Sequence, residues 1–496
     1  MNSAIISVSD KTGLAELAKA MQSKNIRIFA SGGTQKFLET NNIKCESTNT
    51  LTGFTDMVGG RVKTLNHKIF AGILADRSIP EHVSQLKELD IPLIDFVICN
   101  LYPFEEKPGI ETIDIGGVTL MRASAKNYKS VTCITNPSQY PKVIEELNKS
   151  GSISENTRLE FAKEAFRVTS RLDSKVAEFM GEDSLRINCE KVMQLRYGEN
   201  PHQSAALYRT IGQNSIDLTS ARQLQGKELS FNNIQDINAV LLAIKSFTEP
   251  CICIVKHANP CGIATDKNIT EAYKKAHSTD PTSSFGGIVG VNSEVTEELA
   301  KELTATFLEA VIAPSYTDKA KEILTSKKNL RVLELPLDKP LSKTAYLCVE
   351  GGFLVQDSDV ISDTEEKWEV VTKVKPTPDE MEAAKFAFKA VRFMKSNSIC
   401  VAKKDMTIGL GAGQPNRVGS VKIAIENAKH FGFDMKNATM ASDGFFPFND
   451  SITVAAEAGI KCIVQPGGSI RDQESIDECN KLGISMIVTH CRHFRH

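Results

Sequence analysis

The chain has 496 residues, with 59 Lys and Arg against 61 Asp and Glu, a net charge of −2 and a pI near 6.5. That balance excludes a bulk electrostatic case for nucleic acid or a membrane surface as partner. A hydrophobic content of 41% and a charged content of 24% describe a globular protein able to bury several cores.

At roughly 150 residues per domain, this length predicts about three domains. No apolar run approaches the ~20 residues of a bilayer span. The start, Met-Asn-Ser-Ala-Ile-Ile-Ser, lacks the cationic and apolar segments of a signal peptide. Twelve cysteines run from Cys45 to Cys491 with no C-x-x-C pair. Several sit inside apolar runs, so they read as reduced thiols of a cytoplasmic protein.

In chain order, Ala4–Val8 reads as a strand, and Asp10 is placed to cap a helix carrying Leu14, Leu17, Ala18 and Met21 on one face. Ile26–Ala30 is the next strand, and Ser31-Gly-Gly-Thr34 opens a helix. Asp95–Cys99 and Val131–Thr135 are further buried strands. Short apolar strands alternating with helices predict a parallel sheet covered on both faces. A polar helix over Arg158–Asp183 closes a first unit of residues 1–190. A second unit begins near Leu195 and has strands at Ile252–Val255 and Gly287–Val291. The charged stretch Ser358–Lys375, with the sole tryptophan Trp368, marks a junction between 195–365 and 366–496. Beyond it, Thr377-Pro-Asp-Glu380 is a capping box with proline at the first helical position. The following helix carries Ala384, Phe388, Val391 and Met394 along one face. Strands follow at Ile399–Ala402, Ile408–Leu410 and Cys462–Gln465. No fixed-period repeat is visible.

Two small-residue loops precede helices: Ser7-Val-Ser9-Asp-Lys11-Thr12 and Ser31-Gly32-Gly-Thr34. A third segment, Gly59-Gly-Arg61-Val-Lys63-Thr64, adds cations and a hydroxyl. Hydroxyls, backbone N–H groups and helix N-termini bind phosphate, so three such loops point to a phosphorylated ligand; helix capping is the alternative for each alone. Asp114, Lys126 and Tyr102 lie in the same unit; surface ion pairing is the alternative for the first two. In the second unit the apolar run from Cys251 to Val255 stops at Lys256-His257-Ala-Asn-Pro-Cys-Gly262, which reads as a strand delivering a cation and an imidazole into a Pro/Gly turn. An ammonium beside the imidazole would favour the neutral, basic ring. A structural histidine beside a solvated lysine is the alternative. The C-terminal unit adds Lys395-Ser-Asn397, the Gly-rich loop Gly411–Arg417, and Asp443-Gly-Phe-Phe-Pro-Phe448, whose aromatics suit a flat heterocycle. His257-Ala-Asn and Pro260-Cys-Gly-Ile-Ala lack the glutamate and second cysteine of zinc nucleobase deaminases, so no catalytic metal is expected.

Together these segments closely resemble the PurH family of bifunctional purine-biosynthesis enzymes, which join AICAR formyltransferase to IMP cyclohydrolase. The resemblance rests on SVSDKTG, SGGT, GGRVKTL, DIGG, RYGENPHQ, QGKELSFNN, KHANPCG, KSN, GAGQPNR, SDGFFPF, QPGGSIRD and RHFRH, in order along nearly the whole chain. The family continues GGRVKTL with His-Pro, where this chain has Asn66-His67.

The resemblance implies an α/β protein with a methylglyoxal-synthase-like parallel-sheet domain at 1–190. It implies a transferase region of two cytidine-deaminase-like subdomains, 195–365 and 366–496. It also implies a homodimer with transferase sites at the subunit interface. The ligands would be AICAR, FAICAR and IMP, with 10-formyltetrahydrofolate as cosubstrate; a structural monovalent cation is left open. By the same resemblance, His257 is the general base, Lys256 stabilises the oxyanion and Asn397 orients the histidine. Arg196, Tyr197, Glu309, Arg417, Arg492 and His496 would hold the nucleotide, and Phe445, Phe448 and Asp450 the folate. Lys63, Tyr102, Asp114 and Lys126 would carry cyclisation, with Ser7, Ser9, Lys11, Ser31, Gly32, Thr34, Arg61 and Thr64 around phosphate and ribose.

Overall fold

A computed structural model describes residues 2–55, 57–359 and 365–496. The chain folds as two compact units, Met1–Asn188 and Cys189–His496.

The first unit is built on strands β1 (Ser3–Val8), β2 (Arg27–Ala30), β3 (Glu46–Ser47), β4 (Phe96–Asn100) and β5 (Thr132–Ile134). All pair in parallel, in the order β3-β2-β1-β4-β5. Side chains alternate across a strand, so one sheet feeds two cores. Ala4, Ile6, Ile28, Phe96, Ile98 and Ile134 pack with Leu14, Leu17, Ala18 and Met21 of the helix Leu14–Ser23. Ile5, Phe29, Val97, Cys99 and Cys133 face the other way, onto the helices His67–Leu74 and Gly116–Lys126. The expected doubly covered parallel sheet is therefore present. One detail differs: Asp10 does not cap the first helix. Gly13 is its N-cap, at φ 69°, and Asp10 Oδ1 instead accepts the N–H of Thr12 at 2.9 Å. The polar helix spans Glu155–Phe179.

The second unit carries one mixed twelve-stranded sheet. In order its strands are Glu369–Val370, Ser485–Val488, Cys462–Gln465, Thr439–Ser442, Ile399–Lys403, Met406–Gly411, Asn259–Thr265, Cys251–Lys256, Ile288–Val291, Ala310–Ala313, Arg331–Glu334 and Arg222–Gln225. The first six come from beyond residue 366 and the last six from before it. They meet where Ala264 pairs with Met406. Each half repeats one plan: an antiparallel edge strand, a helix, a hairpin, then three helix-linked strands. The helices Phe231–Ile244 and Pro378–Val391 hold equivalent places in the two halves, and their buried residues merge into one core on one face. The opposite face splits into two cores, one per half. The sequence shows no repeat because packing constrains the apolar pattern, not residue identity. Thr377, Pro378 and Glu380 form the expected capping box, with Ala384, Phe388, Val391 and Met394 buried behind it.

Candidate active sites

In the first unit, the loops after β1, β2 and β4 converge at the carboxyl ends of the strands. Parallel α/β sheets bind ligands there, at the point where the strand order reverses. A cavity of about 640 Å³ opens at this place. Ser7, Ser9, Lys11, Ser31, Gly32, Thr34, Arg61, Lys63, Thr64, Tyr102 and Asp114 all line it.

The loops are tied to one another. Thr34 Oγ1 bridges both the N–H and the carbonyl of Val8 at 3.2 Å, so this hydroxyl ties the end of β1 to the first turn of the helix Gly32–Thr40. Asn100 Oδ1 accepts the N–H groups of Ser9 and Asp10 at 2.7 and 2.9 Å, and its amide returns a bond to the Asp10 carbonyl. Ser31 is the N-cap of the helix Gly32–Thr40 but makes no side-chain capping bond, so its hydroxyl and the first amides of the helix face the cavity. Gly32 has φ 49°, and a Cβ there would come 3.6 Å from Lys63 Nζ. The cation of the third loop thus lies over the glycine turn of the second.

Asp114 Oδ1 accepts the N–H of Gly117 at 2.6 Å, at the start of the helix Gly116–Lys126. A Cβ on Gly117 would sit 2.8 Å from that carboxylate oxygen, so glycine is needed for the approach. Burial raises the Asp114 carboxyl above its ordinary range, and backbone N–H bonds from Gly117 and Val118 oppose that rise. A carboxyl tuned in this way suits proton transfer. Arg61 forms an ion pair with Glu111 across the cavity mouth. Cys99 lies on the cavity wall; burial pushes its thiol far up, so it is no nucleophile.

Lys126 does not line this cavity. It ends the eleven-residue helix that Asp114 starts, and such a helix is about 16 Å long. Asn66 accepts the N–H of Lys68 at 2.9 Å as N-cap of the helix His67–Leu74. Asparagine at the N-cap and proline at the first helical position are alternative ways to start a helix, which accounts for the local change.

In the second unit, Lys256 ends the buried strand as expected, but the turn is not made by Pro260 and Gly262. Lys256 pairs with Asn259, leaving His257 and Ala258 as a two-residue hairpin loop. Both have positive φ, 53° and 59°. Pro260 and Gly262 belong to the returning strand, where Gly262 lets the backbone pass close under the helix Ile269–Thr279. Asp236 accepts the N–H of Ala258 at 2.6 Å. Lys256 Nζ donates to the Phe285 carbonyl at 2.8 Å. Lys256 and His257 open onto a cavity of about 190 Å³.

A second cavity, of about 390 Å³, is lined by Asn397, Arg417, Phe445, Phe448 and Asp450. Arg417 is buried, with its guanidinium on Asp443, on Ser442 Oγ at 2.8 Å and on Asn397 Oδ1 at 2.7 Å. Its first role is therefore to hold Asn397. The Asn397 amide donates to the Gln414 carbonyl at 2.9 Å. Phe446 is wholly buried, while Phe445 and Phe448 are exposed; Arg471 lies over the Phe448 ring at 5.0 Å. The Asn259 side chain accepts the N–H of Lys395 at 3.1 Å, which links the hairpin bearing His257 to the segment bearing Asn397.

Four expected nucleotide contacts, Arg196, Tyr197, Glu309 and Arg492, line neither cavity. Arg196 stacks on Tyr197 at 4.8 Å, Glu309 pairs with the buried Arg331 at 2.6 Å, and Arg492 lies over Phe494 at 4.4 Å. His496 also stands outside both, with its ring 6.1 Å from that of Phe494. Sequence reasoning missed Asn100, Asp236 and Asp443. No motif singles out the first two, whose partners are backbone groups brought together by folding. Asp443 stood inside a motif that drew notice for its aromatics. Among the described residues, no group of His, Cys, Asp and Glu could hold a metal ion, and no helix is long and apolar enough to cross a membrane.

Residues 124–427 match the model of the AICARFT/IMPCHase bienzyme family, and residues 13–134 match the MGS-like domain. The chain belongs to the AICARFT/IMPCHase bienzyme family. The bifunctional purine biosynthesis protein PurH of Acetivibrio thermocellus is 49% identical, with 99% of each chain covered. The PurH proteins of Ruminiclostridium cellulolyticum and Bacillus cytotoxicus are 47% and 45% identical at the same coverage. A crystal structure titled ForH overlaps 38% of this chain at 30% identity, with a TM-score of 0.35. As a member of this bienzyme family, the protein is a bifunctional enzyme of the last two steps of IMP synthesis, with AICAR formyltransferase and IMP cyclohydrolase activities.

Proposed function

We propose that the two activities are divided between the two units. His257 serves formyl transfer from 10-formyltetrahydrofolate to AICAR, and the cavity holding Lys63 and Asp114 closes the FAICAR ring. The observation that carries this reading is the Lys256–His257 pair, set on a left-handed turn at the mouth of a cavity. The AICAR amine is a poor nucleophile because its lone pair is delocalised into the ring. His257 takes its proton as the nitrogen attacks the formyl carbon, a contribution of roughly 10²–10⁴ in rate, and returns it to N10 of the folate as the carbon–N10 bond breaks and tetrahydrofolate leaves. Lys256 exchanges the Phe285 carbonyl for the developing oxyanion. Asn397, held by Arg417, orients the imidazole and the formyl group. Phe445 and Phe448 flank the folate, with Asp450 beside them.

Ring closure is intramolecular, so alignment dominates. Lys63 polarises the formyl oxygen as the amide nitrogen bonds to the formyl carbon, Asp114 passes protons to that oxygen, which leaves as water, and Tyr102 lies at the rim. Ser7, Ser9, Lys11, Ser31, Gly32, Thr34, Arg61 and Thr64 surround the phosphate and ribose. Lys126 joins this site only by contribution from a second copy of the chain.

A homodimer completes the transferase sites. Supporting this, His257 and Asn397 open onto different cavities within one chain, and Arg196, Tyr197, Glu309, Arg492 and His496 stand outside both. The hairpin of Thr344–Val349 and Gly352–Asp357 exposes Tyr346, Leu347, Val349, Phe353, Leu354 and Val355, an apolar surface of the kind that pairs. All twelve cysteines are free, in keeping with a cytoplasmic setting.

Purified protein given AICAR and 10-formyltetrahydrofolate should yield tetrahydrofolate and IMP. His257→Ala should abolish transfer yet cyclise supplied FAICAR; Lys63→Ala should do the reverse. Loss of both activities in either folded variant would refute the division. Mixing inactive His257→Ala and Asn397→Ala proteins should restore part of the transferase if sites are shared between copies.

A further inference from the structure

Asp236 belongs to no motif above. It lies in the second turn of the helix Phe231–Ile244, whose residues Ile237, Val240, Leu241 and Ile244 are anchored in the core. Its carboxylate points out of that packed helix at the hairpin loop. It accepts the Ala258 N–H at 2.6 Å. Burial raises the Asp236 carboxyl, and the neighbouring turn backbone and the His257 charge pull it back.

The loop needs such a partner. A two-residue hairpin with both central residues at positive φ favours Asn-Gly. His257 and Ala258 occupy it at 53° and 59°, where a residue bearing Cβ is disfavoured by about 1–2 kcal/mol. Strained residues of this kind persist only where their surroundings over-determine them. Here the constraint is an acceptor oxygen on a packed helix, held 2.6 Å from the Ala258 N–H.

The geometry points to Asp236 as the positioning residue of the formyl-transfer site: it clamps the turn through the Ala258 amide and so aims His257. This deepens the assignment of His257 as base and rests on it. Asp236 acts through acceptor position. An amide oxygen in the same place should therefore largely suffice, whereas an acceptor displaced by a methylene should not.

The test compares Asp236→Asn, Asp236→Glu, Asp236→Ala and His257→Ala in steady-state formyl transfer and in cyclisation of FAICAR. Asp236→Ala should lower kcat for transfer about 10²-fold, as for a misplaced catalytic group, with KM values within about threefold. Cyclisation should be unchanged. Asp236→Asn should stay within about tenfold of the parent, and Asp236→Glu should fall below it, which tests the proposal even if the alanine variant does not fold. Full transfer by Asp236→Ala, with His257→Ala inactive, would overturn the clamp and leave the base intact. An inactive Asn variant beside a fully active Glu variant would overturn it too, because charge rather than position would then matter. Full transfer by His257→Ala would overturn both readings.

Discussion

Gly262→Ala is a single-methyl change whose consequence follows from distances. A Cβ at Gly262 would lie 1.9 Å from the Ala276 carbonyl oxygen, 2.8 Å from its carbon and 3.0 Å from Thr279 Cβ. Carbon–oxygen contacts settle near 3.3 Å, so the helix Ile269–Thr279 must recede by about 1.4 Å, or the strand must bow away from it. The atoms met are mainly backbone, which cannot rotate aside. Overpacking of this kind costs about 1–3 kcal/mol, and each kcal/mol lowers Tm by roughly 2–4 °C in a unit of a few hundred residues. A fall of about 2–12 °C is expected in the transition of the second unit. Gly262 pairs with Ile254, and Asn259 of the same strand pairs with Lys256, so a bowed strand drags the turn that holds His257. Misplacement by about 1 Å costs on the order of 10² in rate. Scanning calorimetry with separate assays of transfer and cyclisation checks both effects. A variant melting within about 1 °C of the parent and transferring formyl at full rate would refute the argument.

Asp114→Asn should lose cyclisation yet raise the stability of the first unit at neutral pH. The folded carboxyl titrates above its ordinary range, so wild-type stability is fullest below that range and declines as pH rises through the folded value. Thermal melts from acid to neutral pH should show the variant's advantage opening over that interval; an advantage that shrinks with pH would contradict the sign. Asp443→Ala strands the buried Arg417 guanidinium and should cost about 3–5 kcal/mol, read by denaturant unfolding, with partial recovery in the double variant carrying Arg417→Met. Asn100→Ala removes the bonds that hold Ser9 and Asp10; it should raise KM for FAICAR about tenfold with little change in formyl transfer, as read by the two assays.

What the residues settle alone is local. The continuous apolar runs in Ser3–Val8 and Phe96–Asn100 already announce strands buried on both faces, and Thr377-Pro-Asp-Glu380 starts a helix wherever it stands. The phosphate loops and the Lys256–His257 pair are legible for the same reason: adjacent residues carry their own chemistry. Folding decided the rest. The hairpin turn fell on His257 and Ala258 rather than on Pro260 and Gly262 because strand register and the Asp236 carboxylate override turn preference. Arg417, which reads as a nucleotide contact, is held by Asp443 and Asn397, from segments far apart in the chain. Lys126, named beside Asp114 in the sequence, ends up a helix length away from it. Contacts among distant backbone and side-chain groups leave no spacing to read, because the loops that close them have no fixed length. The doubled plan of the second unit, implied by the family resemblance, leaves no repeat to read in the residues, because a packed core fixes apolar volume and pattern while letting residue identity drift.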